Sequence, residues 1–378
     1  MPAEGVVNEE DLVGDVAVIF GGPSPEHDVS ILTGLQAVRE LTSQGTVLAI
    51  YWTKRGEFVE VDPSLEASAF VNGTPSGASP LELRMGIGFV AIGKRRSKEQ
   101  TLDIKAAILC THGGPGEDGS LQGALDLAAI NYAGPSVAGA ALGMDKLAFS
   151  SVLSDHGIAV LPRRALTSTL QELDFAGPYI VKPRFGGSSI GIDVVADLQT
   201  AKARLTSNIH LQVGAVIEPF RADLSDLQIA VRTYPTLELS AIERPIKTST
   251  GSEILDYRDK YVGGEGMASA PRELPANLSE ERAAEVRAAA TAVAELGLIR
   301  GVARIDFMEG EAGCFVNEVN TIPGSLARYL FIDPVRSFRE LLADLVSEAV
   351  ERPTHKYTTS GADGLVLRGA ASIAAKLA

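Results

Sequence analysis

Residues 303–324 carry two runs that alternate apolar and polar side chains, Ala303-Arg-Ile-Asp-Phe307 and Cys314-Phe-Val-Asn-Glu-Val-Asn-Thr-Ile-Pro-Gly324. A period of two is the pattern of a strand with one wet face. The turn-prone Glu309-Gly-Glu-Ala-Gly313 between the runs predicts a hairpin. Glu318 and Asn320 lie two apart and so share a face of their strand, where Asp306 of the partner strand can join them. Carboxylates with an amide oxygen form a hard, all-oxygen donor set suited to Mg²⁺ or Mn²⁺, whose shell is usually completed by water and phosphate oxygens. Such a hairpin points to a chain that handles a nucleoside triphosphate.

Length and charge narrow the setting. A chain of 378 residues is long enough for about two or three domains with real cores. Its formal charge of −14, from 34 basic and 48 acidic residues, argues against a nucleic-acid-binding surface while leaving room for local basic pockets. Cys110 and Cys314, both in apolar strand-like runs, do not suggest a disulfide framework, and a reducing cytosol fits. The start, Met1-Pro-Ala-Glu-Gly5, lacks the basic and apolar regions of a signal peptide. The longest apolar-leaning run, Leu127 to Leu142, is interrupted by Asn131 and Pro135, so no membrane span is expected. A cytoplasmic protein without membrane or nucleic-acid partners is the expectation.

Strand and helix patterns alternate through the first third of the chain. Asp15 to Gly22, Val47 to Trp52 and Ile104 to Cys110 read as buried strands, with helices at Val29 to Leu41 and Ser120 to Ala129. This alternation predicts a doubly wound, parallel α/β unit over residues 1–136. Residues 137–240 read as a small α+β unit: a helix at Asp145 to His156, then strand-like runs at Tyr179 to Arg184, Ile190 to Ala196, Val216 to Pro219 and Leu227 to Thr233. A third unit, 241–352, holds the metal hairpin and two helices, one capped by Ser279 and one opened by a Ser337/Glu340 capping box. Residues 353–378 read as a flexible tail.

Several segments carry chemistry. In Lys182-Pro-Arg-Phe-Gly-Gly-Ser-Ser-Ile-Gly191, glycines and small hydroxyls let backbone N–H groups close on phosphate oxygens, and a lysine at a strand end adds a point charge. It is not a P-loop, because the Gly-x-x-x-x-Gly-Lys-Ser/Thr order is absent. Lys146 is a second candidate phosphate contact or else a solvated helix residue. Glu218, at the end of an apolar run, suits either an adenine amino group or the surface. Asp256-Tyr-Arg-Asp-Lys-Tyr261, followed by Val262-Gly-Gly-Glu-Gly266, has the composition of a lid or of a plain surface loop. Gly21-Gly-Pro-Ser-Pro-Glu-His-Asp28 and His112-Gly-Gly-Pro-Gly-Glu-Asp-Gly119 both follow predicted strands, where doubly wound sheets bind ligands. Glu26 there suits an ammonium group, though its acids also suit helix capping. His156, His210 and His355 show no partner spacing.

Taken in order, these motifs resemble the D-alanine–D-alanine ligases of the ATP-grasp superfamily over roughly residues 14–350. The segments that match are Phe-Gly-Gly-Pro-Ser-Pro-Glu-His-Asp-Val-Ser, His-Gly-Gly-Pro-Gly-Glu-Asp-Gly-Ser-Leu-Gln-Gly, Met-Asp-Lys, Val-Lys-Pro with Gly-Ser-Ser-Ile-Gly, Asp-Tyr with Lys-Tyr, Ala-Arg-Ile-Asp-Phe and Asn-Glu-Val-Asn-Thr-Ile-Pro-Gly. The resemblance implies an ATP-grasp fold behind an N-terminal doubly wound domain, and a homodimer. It implies that Lys146, Lys182 and Lys260, with Ser188 and Ser189 of the glycine–serine loop, hold the ATP phosphates. Glu218 is then expected at the adenine, Asp226 at the ribose, and Asp306, Glu318 and Asn320 at two Mg²⁺ or Mn²⁺ ions. Glu26 is expected to hold the first D-alanine's ammonium group, within a Glu26–Ser188–Tyr261 network. His112 is expected near its carboxylate, with Arg304 and the Gly324 backbone at the oxyanion.

The chain also departs from that family pattern. Where the family places an aromatic residue or Met, then Thr, then a serine that helps bind the second substrate's carboxylate, this chain has Ser325-Leu-Ala-Arg-Tyr-Leu330. Either Ser325 takes that part or the contact differs. The family's Glu-Lys pair at the adenine is Glu218-Pro219, and its ribose glutamate is Asp226, one methylene shorter. The altered run leaves room for a ligase of the same build with a different amino or hydroxy acid as acceptor. A nucleotide-binding protein without catalysis would not need Arg304, the metal trio and the lysines together.

Overall fold

The computed structural model describes residues 16–43, 45–93, 99–246, 271–297, 299–354 and 358–368. The expected lid, with Lys260 and Tyr261, lies outside these residues, as does His355. Eight helices are described: α1 (His27–Thr42), α2 (Ser120–Leu127), α3 (Val137–Met144), α4 (Lys146–Asp155), α5 (Leu198–Ser207), α6 (Glu280–Glu295), α7 (Phe338–Glu351) and the short α8 (Leu365–Arg368).

The first sheet runs from β1 to β8: Val16–Gly21, Val47–Trp52, Phe58–Val61, Ser79–Arg84, Gly88–Ala91, Gln100–Thr101, Ala106–Leu109 and Tyr132–Ala133. Their order is β6-β5-β4-β3-β2-β1-β7-β8. β2, β1, β7 and β8 pair in parallel, which is the doubly wound core the sequence predicts. All six residues of β1 are buried, as expected of a strand covered on both faces. Beyond β2 the sheet continues as an antiparallel meander through β3 to β6, which the sequence pattern left unassigned.

The second sheet is antiparallel, in the order β11-β10-β12-β9, from β9 (Arg164–Leu166), β10 (Tyr179–Pro183), β11 (Asp193–Val195) and β12 (Ala215–Pro219). The third, β15-β14-β13-β16-β17, comprises β13 (Ser225–Arg232), β14 (Glu238–Pro245), β15 (Arg272–Glu273), β16 (Val302–Gly310) and β17 (Gly313–Asn320). β13 therefore pairs in the third sheet, although the sequence reading placed it in the 137–240 unit. α3 and α4 also pack on β17.

Helix ends follow their capping residues. The Ser279 hydroxyl accepts from the Arg282 N–H at the start of α6. Ser337 and Glu340 form the reciprocal capping box of α7. α7 then returns to the first sheet: Leu341, Leu342, Leu345, Val346 and Ala349 join a core shared with β1, β2 and β7. Ile322, Leu326, Leu330 and Phe331 enter the same core. The segment after the hairpin is thereby fastened to the N-terminal sheet, bringing the loops after β1 and β7 against the end of β17. Cys110 and Cys314 are buried free thiols. Among the described residues no helix is long and apolar enough to cross a membrane.

Candidate active site

The hairpin forms as its alternation requires. β16 pairs with β17 so that Asp306 faces Glu318 and Arg304 faces Asn320, with a bulge just after Asp306. Arg304 grips Asp306 with both arms, Nε to Oδ1 at 2.7 Å and Nη2 to Oδ2 at 2.8 Å. The Asn320 amide donates to Asp306 Oδ2 at 3.2 Å, and Glu318 Oε2 lies 3.0 Å from Lys146 Nζ. Among the described residues no group of three His, Cys, Asp or Glu side chains is poised for a metal. The trio here includes an amide, and its donor chemistry still fits a hard divalent cation: charged oxygens in register across one ladder, with an amide oxygen two residues on. Its carboxylates are neutralised meanwhile by Arg304 and Lys146.

A cavity of about 300 Å³ opens beside this trio, between the second and third sheets. Lys146, Lys182, Ser189, Glu218, Asp226, Asp306 and Glu318 all line it. Lys146 starts α4, whose N-terminus is capped by Asp145. It is only 8 % exposed, which excludes the solvated-surface alternative. Its Nζ also donates to the Gly186 carbonyl at 2.5 Å. Glu218 is not a surface residue either: it is 1 % exposed, and its carboxylate meets two cations. Oε1 lies 2.7 Å from Arg163 Nε and Oε2 lies 3.0 Å from Lys182 Nζ. Burial alone would push the Glu218 carboxyl up, but Arg163 and Lys182 outweigh it and hold the group below its ordinary value. The side chain lines the cavity wall as the counter-ion of Arg163 and Lys182. Asp226 stands at the start of β13, at the cavity edge.

Glu26 closes the opposite side. The Ser188 hydroxyl donates to the Glu26 carboxylate, joining the loop after β10 to the loop after β1. Ser188 and Ser189 both adopt left-handed backbone (φ 51° and 58°) to present this loop. Two glycines permit the approach. A Cβ on Gly113 would stand 2.3 Å from Glu26 Oε2, and one on Gly187 would stand 3.1 Å away. A small cavity of about 30 Å³ joins Glu26 and Glu117 to Lys146, Glu318 and Asn320. The Glu26–Ser188 half of the expected network is therefore present; Tyr261 lies outside the described residues.

His112 is a hub and not a free ligand. Its Nδ1 lies 2.7 Å from the Ile322 carbonyl and its Nε2 lies 2.8 Å from Thr33 Oγ1. Thr33 Oγ1 also accepts from the Ser325 N–H at 3.0 Å. The consistent proton arrangement has Nδ1–H donating to Ile322 and Thr33 O–H donating to Nε2. Burial lowers the His112 pKa to about 4, so the ring is neutral near pH 7. Ser325 is buried, adjacent to the buried Gly324, in a short helical turn, Gly324–Leu330. Ser325, Leu326 and Ala327 are all left-handed there, with φ near 50°.

Two residues escaped the sequence reading. Glu117 lies inside a quoted motif, and its carboxylate accepts from the Gly113 and Ile322 N–H groups at 3.0 and 3.1 Å, tying two site loops together. Burial, and then the nearby Glu26, push its pKa up to about 7. Arg163 gave no local signal, because its partners Glu218 and Asn317 are 55 and 154 residues away.

The sequence matches the family profile for the D-ala D-ala ligase N-terminus over residues 15–135 and that for the D-ala D-ala ligase C-terminus over residues 140–347. It is 33% identical over 365 residues to the D-alanine--D-alanine ligase of Pelodictyon phaeoclathratiforme, covering 89% of this chain and 98% of that one. With the D-alanine--D-alanine ligase of Nitratiruptor sp. it shares 31% identity over 332 residues, covering 87% and 92%. Among solved structures, the D-Alanine-D-Alanine Ligase from Helicobacter pylori aligns with a TM-score of 0.70 at 24% identity, covering 90% of this chain and 99% of that one. The VanG D-Ala:D-Ser Ligase from Enterococcus faecalis aligns at 0.72 with 23% identity, covering 89% and 100%. These two structural likenesses establish the fold.

Proposed function

This chain belongs to the D-alanine–D-alanine ligase family, and from that premise we propose that it joins two D-alanines into D-alanyl-D-alanine for peptidoglycan synthesis. It is an ATP-dependent ligase of the ATP-grasp fold. One observation carries the reading: Lys146 and Lys182, the Asp306–Glu318–Asn320 trio and Glu26 meet around two neighbouring cavities where the three sheets converge. Cations for phosphate, hard oxygens for a metal and a carboxylate for an ammonium group are the parts this reaction needs.

In the proposed cycle the first D-alanine rests its ammonium group on Glu26, with its carboxylate toward His112 and Arg304. That carboxylate is a poor electrophile, so its oxygen first attacks the γ-phosphate of ATP, giving an acylphosphate and ADP. Lys146 and Lys182, joined by Lys260 and by the Ser188–Ser189 backbone, offset the charge on the transferring group, since phosphoryl transfer depends on positioning and charge stabilisation. Asp226 faces the ribose, and Glu218 stands in the wall of the adenine end. Divalent ions bound by Asp306, Glu318 and Asn320, two Mg²⁺ or Mn²⁺, would add positive charge beside the phosphates. The second D-alanine's amine then attacks the acyl carbon, with its carboxylate at Ser325. Arg304 and the Gly324 N–H compensate the developing oxyanion before phosphate leaves and carries off the proton the amine loses. Tyr261 completes the Glu26–Ser188 network over the substrates.

The working form proposed is a cytoplasmic homodimer, which sedimentation velocity would test. The activity itself is tested by incubating the protein with ATP, Mg²⁺ and D-alanine, following phosphate release, and identifying the product by mass. D-alanine-dependent phosphate release with a dimer product is expected. Release only with another amino or hydroxy acid would overturn the substrate assignment.

A further inference from the structure

Arg163 precedes β9, with its side chain 3 % exposed between the second and third sheets. Its guanidinium spreads over three elements. Nε meets Glu218 Oε1 on β12 at 2.7 Å, Nη1 donates to the Lys146 carbonyl at 2.6 Å, and Nη2 donates to the Asn317 carbonyl on β17 at 3.2 Å. Lys182 meets the other Glu218 oxygen at 3.0 Å and the Asn317 side-chain oxygen at 3.2 Å. Two cations thus converge on one buried carboxylate. A buried carboxylate requires a counter-ion. If Lys182 were the only one, its charge would be spent on Glu218 and withheld from an anion in the cavity.

We propose that Arg163 is a positioning residue of the nucleotide site, the resident counter-ion of Glu218 that leaves the Lys182 ammonium available to the ATP phosphates. The arrangement carries one net positive charge at the cavity wall with Arg163 present and none without it. The three-element grip also sets Lys146 and Asn317, next to Glu318, relative to Glu218. The proposal rests on the assignment of Lys182 to the phosphates, and the test separates the two.

The experiment is a double-mutant cycle on the full chain, with Michaelis constants for ATP and D-alanine, kcat, and calorimetric binding of ATP. R163M raises KM for ATP by roughly tenfold or more, the scale of a lost charge-assisted hydrogen bond, and lowers kcat/KM for ATP with it, while KM for D-alanine stays within about twofold. In an E218Q background the same change moves KM for ATP by less than about twofold, because Lys182 then has no buried carboxylate to neutralise. R163K, which keeps the charge, retains most of the ATP affinity. Equal losses from R163M in both backgrounds, or an unchanged KM for ATP in R163M, overturn the proposal. K182M with undiminished ATP affinity overturns instead the assignment of Lys182. Should R163M fail to fold, R163M/E218Q against E218Q still decides, since neither variant leaves a buried carboxylate without its counter-ion: a large ATP effect there refutes the counter-ion role.

Discussion

Asp306 and Glu318 stand directly opposite one another across the β16–β17 ladder, each held by its own cation, Arg304 for the first and Lys146 for the second. Like charges placed opposite in a sheet repel, so this pairing persists because each carboxylate is neutralised separately. A bound divalent ion would answer the same repulsion. Glu318→Gln removes one charged donor while keeping the side chain's size. Turnover is expected to fall by about two orders of magnitude or more, with a modest drop in melting temperature as the buried Lys146 loses its counter-ion. Near-normal phosphate release at saturating Mg²⁺ would sink the metal assignment.

The Glu26 carboxylate accepts the Ser188 hydroxyl only because Gly113 and Gly187 carry no Cβ. Gly113 is also left-handed, with φ 64°. Gly113→Ala must therefore move Glu26 and accept backbone strain together, a loss of about 2 kcal/mol or more. A higher KM for D-alanine should accompany a lower melting temperature. A variant that melts normally and binds D-alanine normally would show that this loop does not fix Glu26.

Local periodicity and capping made β1, β2, α1, the hairpin and the α7 capping box legible in the sequence. β3 to β6 were not, because strands of two to six residues between glycine-rich turns give too few positions for a period to show. The return of α7 to the first sheet was equally hidden, since an apolar stripe says that a face is buried but not against what. In the site, motif residues such as Lys182 and Asp306 announced themselves by context. Arg163 did not: its role exists only once β12 and β17 are folded beside it. The left-handed serines at 188 and 189 stand where such turns ordinarily favour glycine.

Acid should loosen the hub at His112. Its folded pKa, about 4, lies below the ordinary 6.5, so the neutral ring's contribution is complete above pH 6.5 and is lost as pH falls toward 4. The loss over that window is on the order of 2–3 kcal/mol. Denaturant unfolding at stepped pH should show this slope, and His112→Asn should flatten it. Parallel slopes for the two proteins would place the acid sensitivity elsewhere.

Tyr329 packs beneath Arg272, whose guanidinium carbon lies 4.5 Å from the ring centre, and its buried hydroxyl lies beside Arg304. Burial pushes its pKa up to about 12. Tyr329→Phe should keep the cation–π contact but remove the hydroxyl beside Arg304, lowering stability by about 1 kcal/mol. An unchanged or higher melting temperature would show that the hydroxyl makes no stabilising hydrogen bond to Arg304.

Ser325 joins two demands at one position. Its left-handed backbone favours glycine, whereas the proposed contact with the second D-alanine's carboxylate requires its hydroxyl. Ser325→Gly relieves the backbone and should stabilise the chain by up to about 1 kcal/mol. Ser325→Ala keeps the backbone cost and deletes only the hydroxyl. If that hydroxyl binds the acceptor, both variants raise KM for the second D-alanine by roughly tenfold, the scale of one hydrogen bond to a charged group. KM for ATP should stay put, and only the glycine variant should melt later. Unchanged acceptor kinetics in both variants would remove Ser325 from the acceptor site and confine its part to the backbone N–H that binds Thr33.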